Sequence, residues 1–296
     1  MRHVDHLRVI TLNLWGTQAP LDRRLALAIK QLVALAPDVV CLQEVRPLDG
    51  RGGRTTADVI ADGLGMRSRY DVAVEWEDGA FPKLAGYPEI PGGQEGLAVI
   101  AKDILDTRVL ALPEARTTEA RILLSAQVST DGGPIWVHTT HLHYRLDDGL
   151  AREQQVLAVD TAIRAHRTDT SPPQILCGDM NATPDSDEMR FLRGLTTLGG
   201  RRTHFQDAWL RLHPEPGPGA GPAEGITWSS ENEHTRPLRS LDIDRRLDYV
   251  YVTSRKKDGR GTIHDARVVM TERDGDDDIC ASDHYGVMAD VQIVAR

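Results

Sequence analysis

Apolar residues in this chain follow two periods. "LRVITLNLW" from Leu7, "DVVCLQEV", "GLAVIAK", "RILLSAQVS", "PIWVHTTHLHY", "PQILCGDM", "RLDYVYV" and "GVMADV" are short runs rich in β-branched residues. They read as buried strands. In "LDRRLALAIKQLVALAPD" the apolar positions Leu21, Leu25, Ala28, Leu32 and Leu35 recur at three- and four-residue steps. That spacing predicts an amphipathic helix, which Pro37 ends. "LAREQQVLAVDTAIRAH" predicts a second helix. "ATPDSDEMRFLRGL" predicts the start of a third, with Thr183 as N-cap, Pro184 at the first helical position and acids in the first turn. The stretch from about Pro47 to Gly96 reads as irregular, because its Gly- and Pro-rich part "EDGAFPKLAGYPEIPGGQEG" breaks any period. "PEPGPGAGPAEG" (Pro214 to Gly225) is a low-complexity loop between strands and no domain boundary. Many short strands and three or so helices predict layered sheets with helices outside, as one domain over residues 1–296.

Polar residues stand where these strands end: Asn13 in "TLNLW", Glu44 in "CLQEV", His141 in "TTHLH", Asp179 and Asn181 in "CGDMN", Asp248 in "RLDYV", and the adjacent Asp283 and His284 in "SDHYG". Each alone is an ordinary cap or turn residue. Together they have a chemical logic. Hard divalent cations take carboxylate and amide oxygens, which Glu44 and Asn13 offer. Phosphate-ester hydrolysis needs an activated water and cations or donors around the phosphoryl oxygens, functions open to Asp179, His141 and His284. A histidine in that setting needs an acid to set its tautomer, for which Asp248 is the candidate.

Composition narrows the partners. With 296 residues the chain buries a core without staples, and its formal charge of −9 disfavours generic, charge-driven binding to nucleic acid or anionic membrane without excluding a local basic groove. Cys41 and Cys177 lie inside apolar runs and read as buried free thiols. No apolar run reaches the ~20 residues of a membrane helix. The N-terminal segment lacks the apolar core of a signal peptide, so the expected location is cytoplasmic.

The segments "TLNLW", "PDVVCLQEV", "EGLAVIAK", "TTHLH", "LCGDMNATPDS", "RRLDYVYV" and "SDHYGV", in this order from Thr11 to Val287, resemble the endonuclease/exonuclease/phosphatase superfamily, which includes deoxyribonuclease I, exonuclease III and bacterial sphingomyelinases. The resemblance implies a four-layered α/β sandwich: two face-to-face mixed sheets flanked by helices. It implies a Mg2+- or Mn2+-dependent phosphoesterase with no covalent enzyme intermediate. Glu44 matches the principal metal carboxylate, with Asn13 and Asp283 as further metal contacts. Asp179 matches the residue that orients or deprotonates water, Asn181 a partner that fixes the phosphate, and His284 the catalytic histidine paired with Asp248. His141 matches a second histidine on the phosphoryl oxygens. Glu95 is either its acid partner or a loop acid. Arg46 either contacts substrate or is a solvated surface arginine. Arg121 either meets substrate or pairs with an acid. His138 and His143 read as structural.

Substrate is less legible. No extra basic loops, aromatic wedges, inositol-phosphate lysine motifs or membrane-inserting hairpin stand out. The segment Gly225 to Val250 is expected to line the pocket. Glu272, Asp274, Asp276, Asp277 and Asp278 form either a solvated loop or a rim that discourages long polyanions or holds a second cation. The preferred reading is a monomeric phosphodiesterase or phosphatase on a small or lipid-derived phosphate. The alternatives are a nuclease on the same fold and, remotely, a non-catalytic binding protein.

Overall fold

The computed structural model describes residues 5–78, 92–116, 119–167, 171–214, 225–236, 244–275 and 278–295. Two six-stranded sheets form its centre. The first runs β11(Ile263–Val269)-β14(Gly286–Gln292)-β1(His6–Asn13)-β2(Val39–Val45)-β4(Gly93–Ala101)-β3(Arg67–Trp76). The second runs β5(Ile104–Ala111)-β6(Ile122–Val128)-β7(Ile135–His141)-β8(Ile175–Asp179)-β10(Asp248–Thr253)-β9(Phe205–Asp207). Parallel pairs β1–β2 and β7–β8 make both sheets mixed. A small hairpin joins β12(Arg273–Asp274) to β13(Ile279–Cys280).

Alternation along the strands explains the layering. On the first sheet Val9, Val39, Cys41 and Val99 face the second, where they pack with Leu124, Val137, Cys177 and Val250. Their neighbours Ile10, Leu12, Val40 and Leu42 face outward under α1(Leu21–Leu35) and α2(Thr56–Leu64). Leu123, Leu176 and Tyr251 on the other sheet are covered by Val156, Val159 and Ile163 of α3(Gly149–Ala165) and by Met189 and Phe191 of α4(Asp187–Leu192). Strands buried on both faces read as continuous apolar runs, which is why the sequence announces them. The result is the expected four-layered α/β sandwich. Cys41, Cys177 and Cys280 are free and buried, as predicted for the first two.

Two expectations fail. The region from Pro47 to Gly96 is not irregular throughout. Thr55 and Asp58 form a reciprocal capping box that starts α2, and β3 follows. The helix predicted at Thr183 starts later, with Ser186 as N-cap. Thr183 to Ser186 is a turn in which the Ser186 amide and hydroxyl both donate to the Thr183 carbonyl (3.0 and 2.8 Å). Asp276 and Asp277, residues 215–224 of the Pro/Gly loop, and residues 237–243 lie outside the described residues.

Candidate active site

Register brings the strand ends together. Asn13 pairs with Gln43 across β1–β2, one residue before Glu44. On the other sheet Asp179 pairs with His141 of β7 and with Asp248 of β10. Gly178 makes that approach feasible: at φ +146° a Cβ there would lie 1.9 Å from the Thr140 carbonyl oxygen. Backbone strain concentrates at the same end. Trp15 (φ 56°), Glu44 (52°) and Asn181 (48°) all adopt left-handed conformations, and the β2–β4 register slips between Leu42 and Val45. Such strain re-aims side chains and collects at functional sites.

Asp179 Oδ2 is the hub. Asn13 Nδ2 donates to it at 3.2 Å, His141 Nε2 lies at 3.4 Å and His284 Nε2 at 3.8 Å. The other oxygen, Oδ1, accepts from the Asn181 backbone amide at 2.8 Å, while Asn181 Nδ2 donates to the Leu142 carbonyl at 3.0 Å. Asn13 Nδ2 also donates to Glu44 Oε1 at 2.9 Å, so this amide bridges the two carboxylates. Its oxygen accepts from the Trp15 amide at 2.9 Å. His284 Nδ1 donates to Asp248 Oδ2 at 2.8 Å, linking the loop before β14 to the other sheet.

Electrostatics divide the site. Burial and then the charge of Asp283 raise Glu44 to about 7, against the opposing pull of Asn13 and His284. Burial brings Asp179 up to about 6 even though His284 pulls the other way. Burial would lower His284, but Asp248, Asp179 and Asp283 together hold it well above the ordinary imidazole range. His141 is well below that range through burial, Arg121 and His284.

The weaker assignments change. Arg121 Nη2 donates to Glu119 Oε2 at 2.7 Å and Nη1 to His141 Nδ1 at 3.2 Å, so it pairs with an acid and backs the histidine. Glu95 is therefore not the group on His141 Nδ1; it sits beside Glu44, and burial and that charge raise it well above the usual range. Arg46 is no solvated surface residue. It is 2% exposed, stacks over Trp76 at 5.1 Å and donates to the Gly92 carbonyl at 3.2 Å. His138 is structural, buried between Ser125 Oγ (2.7 Å) and Gln174 Oε1 (2.9 Å). His143 is buried as well, 3.5 Å from Asp148.

Sequence reasoning missed three supports. Ser282 Oγ donates to the Asn13 carbonyl at 2.6 Å, fastening the Asp283–His284 loop to β1. Thr227 Oγ1 accepts from the Asp248 amide at 3.1 Å, and Asn232 Nδ2 donates to the Ser282 carbonyl at 2.8 Å. Described residues of the segment 225–250 thus brace the site from behind. Position next to the Asp-His pair could have flagged Ser282; nothing local marks Glu119. The described acids of the 272–278 stretch are paired, Glu272 with Lys30 (3.5 Å), Asp274 with Arg23 (3.3 Å) and Asp278 with Arg273.

The two sheets of the sandwich bring carboxylates, an amide and two histidines to one end, groups that can serve phosphoester hydrolysis. The sequence matches the Endonuclease/Exonuclease/phosphatase family over residues 10–284, and the chain belongs to it. It is 33% identical over 137 residues to mouse (Mus musculus) sphingomyelin phosphodiesterase 5, spanning 43% of this chain and 26% of that protein. It is 29% identical over 246 residues to Drosophila melanogaster Nocturnin, spanning 78% of this chain and 36% of that protein. The chain thus spans about a third or less of these two curated relatives. The fold matches truncated Caenorhabditis elegans TDP2 with a TM-score of 0.69 at 17% identity, over 97% of each chain. The family is one of phosphoester hydrolases, generally dependent on a divalent metal, and no helix among the described residues is long and apolar enough to cross a membrane.

Proposed function

We propose that this protein is a single-domain, Mg2+- or Mn2+-dependent phosphoesterase acting on a small or lipid-derived phosphate. The observation that carries the reading is the surroundings of Asp179 Oδ2, where Asn13 and both histidines converge.

Two groups of residues compete for the metal role. Ligand atoms of Asp179, Asp248 and His284 lie within 4.8 Å of one another. His284 in that group already donates to Asp248 and holds its proton; a ligating imidazole has to give up a lone pair. Glu44 and Asp283 fit better, as hard carboxylates whose mutual repulsion raises Glu44 even against the opposing charge of His284. Asn13, turned with its amide nitrogen to both carboxylates, holds Glu44 and Asp179 in place; its oxygen can share with a cation only beside the Trp15 amide. When bound, the divalent ion supplies positive charge to the phosphoryl oxygens.

The protein groups supply the proton chemistry. Asp179, raised towards neutrality, is suited to take a proton from water as that water attacks phosphorus. His284, held charged by Asp248, is suited to give a proton to the departing oxygen as its bond to phosphorus breaks. His141 and Asn181 position the phosphate. The name of the mouse relative, a sphingomyelin phosphodiesterase, supports a lipid-derived substrate. So does exposed apolar surface on the stretch that follows His141 and Leu142, where Tyr144, Leu146 and Leu150 are 42%, 53% and 65% exposed.

The nuclease reading has less support. Arg46, which would have to reach substrate, is buried against Trp76. The test is an activity panel over diester, monoester, lipid and plasmid DNA substrates, with added Mg2+ or Mn2+ and with chelator. Turnover of a small or lipid phosphoester that chelation abolishes is expected. Full activity in chelator overturns the metal reading, and efficient plasmid nicking with little small-substrate turnover overturns the substrate reading.

A further inference from the structure

Two histidines reach the same carboxylate oxygen, but they are backed by groups of opposite charge. His284 has Asp248 behind its Nδ1. His141 has Arg121 behind its Nδ1, at 3.2 Å. A guanidinium has donors only, so the Nδ1 it faces has to present a lone pair. The proton of a neutral ring then lies on Nε2, and Nε2 is the atom that faces Asp179 Oδ2 at 3.4 Å. The two ends of the ring demand the same tautomer. A doubly protonated ring would turn an N–H against the guanidinium, and burial already disfavours that charge.

Arg121 is held for this purpose. Glu119 Oε2 takes its Nη2 at 2.7 Å, and the side chains of the pair are only 5% and 14% exposed. Had Glu95 stood at Nδ1, as a carboxylate it would have required N–H there, leaving Nε2 of a neutral ring an acceptor or, as with His284, favouring the charged ring.

We propose that Arg121 is a positioning residue that locks His141 as the neutral Nε2–H tautomer, making it a permanent hydrogen-bond donor towards the phosphate and leaving proton transfer to Asp179 and His284. The catalytic part of this inference rests on the proposed phosphoesterase reading; the tautomer does not. Long-range 1H–15N correlation spectra of the histidine rings, without substrate and with His141 assigned through His141→Gln, read the tautomer directly. At neutral pH we expect an unprotonated Nδ1 and a protonated Nε2. Arg121→Met should lose that signature and Arg121→Lys should keep it. On a phosphoester, Arg121→Met should lower kcat by about 10- to 100-fold, the usual range for a lost orienting partner, with KM little changed and kcat partly restored by Lys. A rise in KM with kcat intact would make Arg121 a substrate contact and overturn the proposal. So would a wild-type His141 protonated at Nδ1, or an Arg121→Met spectrum identical to wild type. If Arg121→Met does not fold, the wild-type spectrum alone decides. A protein with the expected spectrum and no phosphoesterase activity would sink the proposed function and spare the tautomer lock.

Discussion

The two corners of the site differ in how their charge is met. The acid corner, Glu44 with Asp283, has carboxylates held close and partly desolvated, and its nearest relief is the amide of Asn13 and the charge of His284. The histidine corner, around Asp179, is internally balanced: Asp248 answers His284, Arg121 backs His141, and Asn181 caps Asp179. On the proposed reading, the acid corner takes further positive charge from a divalent ion. The other holds its own protons in assigned places. A site built from both can neutralise a phosphoryl group and move protons without either task disturbing the other.

The sharpest way to break that contrast is to remove charge from the acid corner. Glu44→Gln should weaken Mg2+ binding, measured by calorimetry, and lower kcat/KM by about 10³-fold, the upper end of what loss of one transition-state-stabilising group costs, with the fold intact by circular dichroism. Unchanged metal affinity would remove Glu44 from the metal role. In the histidine corner, His284→Ala and Asp179→Asn should each lower kcat by at least ~10²-fold while metal affinity stays close to wild type. Asp248→Asn should cost less, because Asp248 acts on the imidazole and not on phosphate. Near wild-type kcat for His284→Ala would show that the pair at 283–284 is not the acid.

Both corners were visible in the sequence because a polar residue interrupts an apolar run where each strand ends. The eight strands read from sequence are the eight interior ones, β1, β2, β4, β6, β7, β8, β10 and β14. Besides the short β12–β13 hairpin, the strands that were missed, β3, β5, β9 and β11, are the four edges of the two large sheets. An edge strand has one neighbour and more solvent, so its residues need not be apolar on both faces. β5 shows this, with Leu105, Val109 and Leu110 exposed. α2 escaped notice because it is nine residues long and lies between glycine-rich stretches, its capping box being the signal to find. Among site residues, strand-end positions were legible, but which side chain backs which was not. Arg121 on His141 and Arg46 on Trp76 are tertiary choices that no spacing encodes.

A subtler probe of the acid corner is proton linkage. Glu44 is raised from 4.5 to about 7 in the folded protein. Between those values the folded state binds more protons than the unfolded state, so metal-free stability should fall as pH rises through that window. Glu44→Gln removes this contribution. The Tm of the metal-free wild type relative to Glu44→Gln should therefore decline from about pH 4.5 to 7. A relative Tm that climbs with pH would mean that the Glu44 carboxylate is already neutralised by the protein. The same proton has to leave when a cation binds, so Mg2+ affinity should drop below pH 7 by up to about tenfold per unit.

The smallest expected effect concerns the exposed stretch that follows His141. Leu146 and Leu150 are 53% and 65% exposed on the chain that leaves His141. The start of the stretch is braced, since Arg152 donates to the carbonyls of His143 (3.3 Å) and Arg145 (2.6 Å) while its Nε pairs with the buried Glu188. If this stretch borders the bound substrate, its exposed leucines offer apolar surface to whatever hangs from the phosphate. Covering such a side chain is worth about 1.5–3 kcal/mol at full burial and a fraction of that at a rim. Leu146→Asp and Leu150→Asp should therefore raise KM several-fold for a long-chain phospholipid and leave a short soluble diester unaffected, because kcat depends on groups that neither leucine touches. Equal loss on both substrates would mean that the leucines support the scaffold. No loss on either would leave the site without an apolar rim and weaken the lipid reading in favour of a small, polar phosphoester.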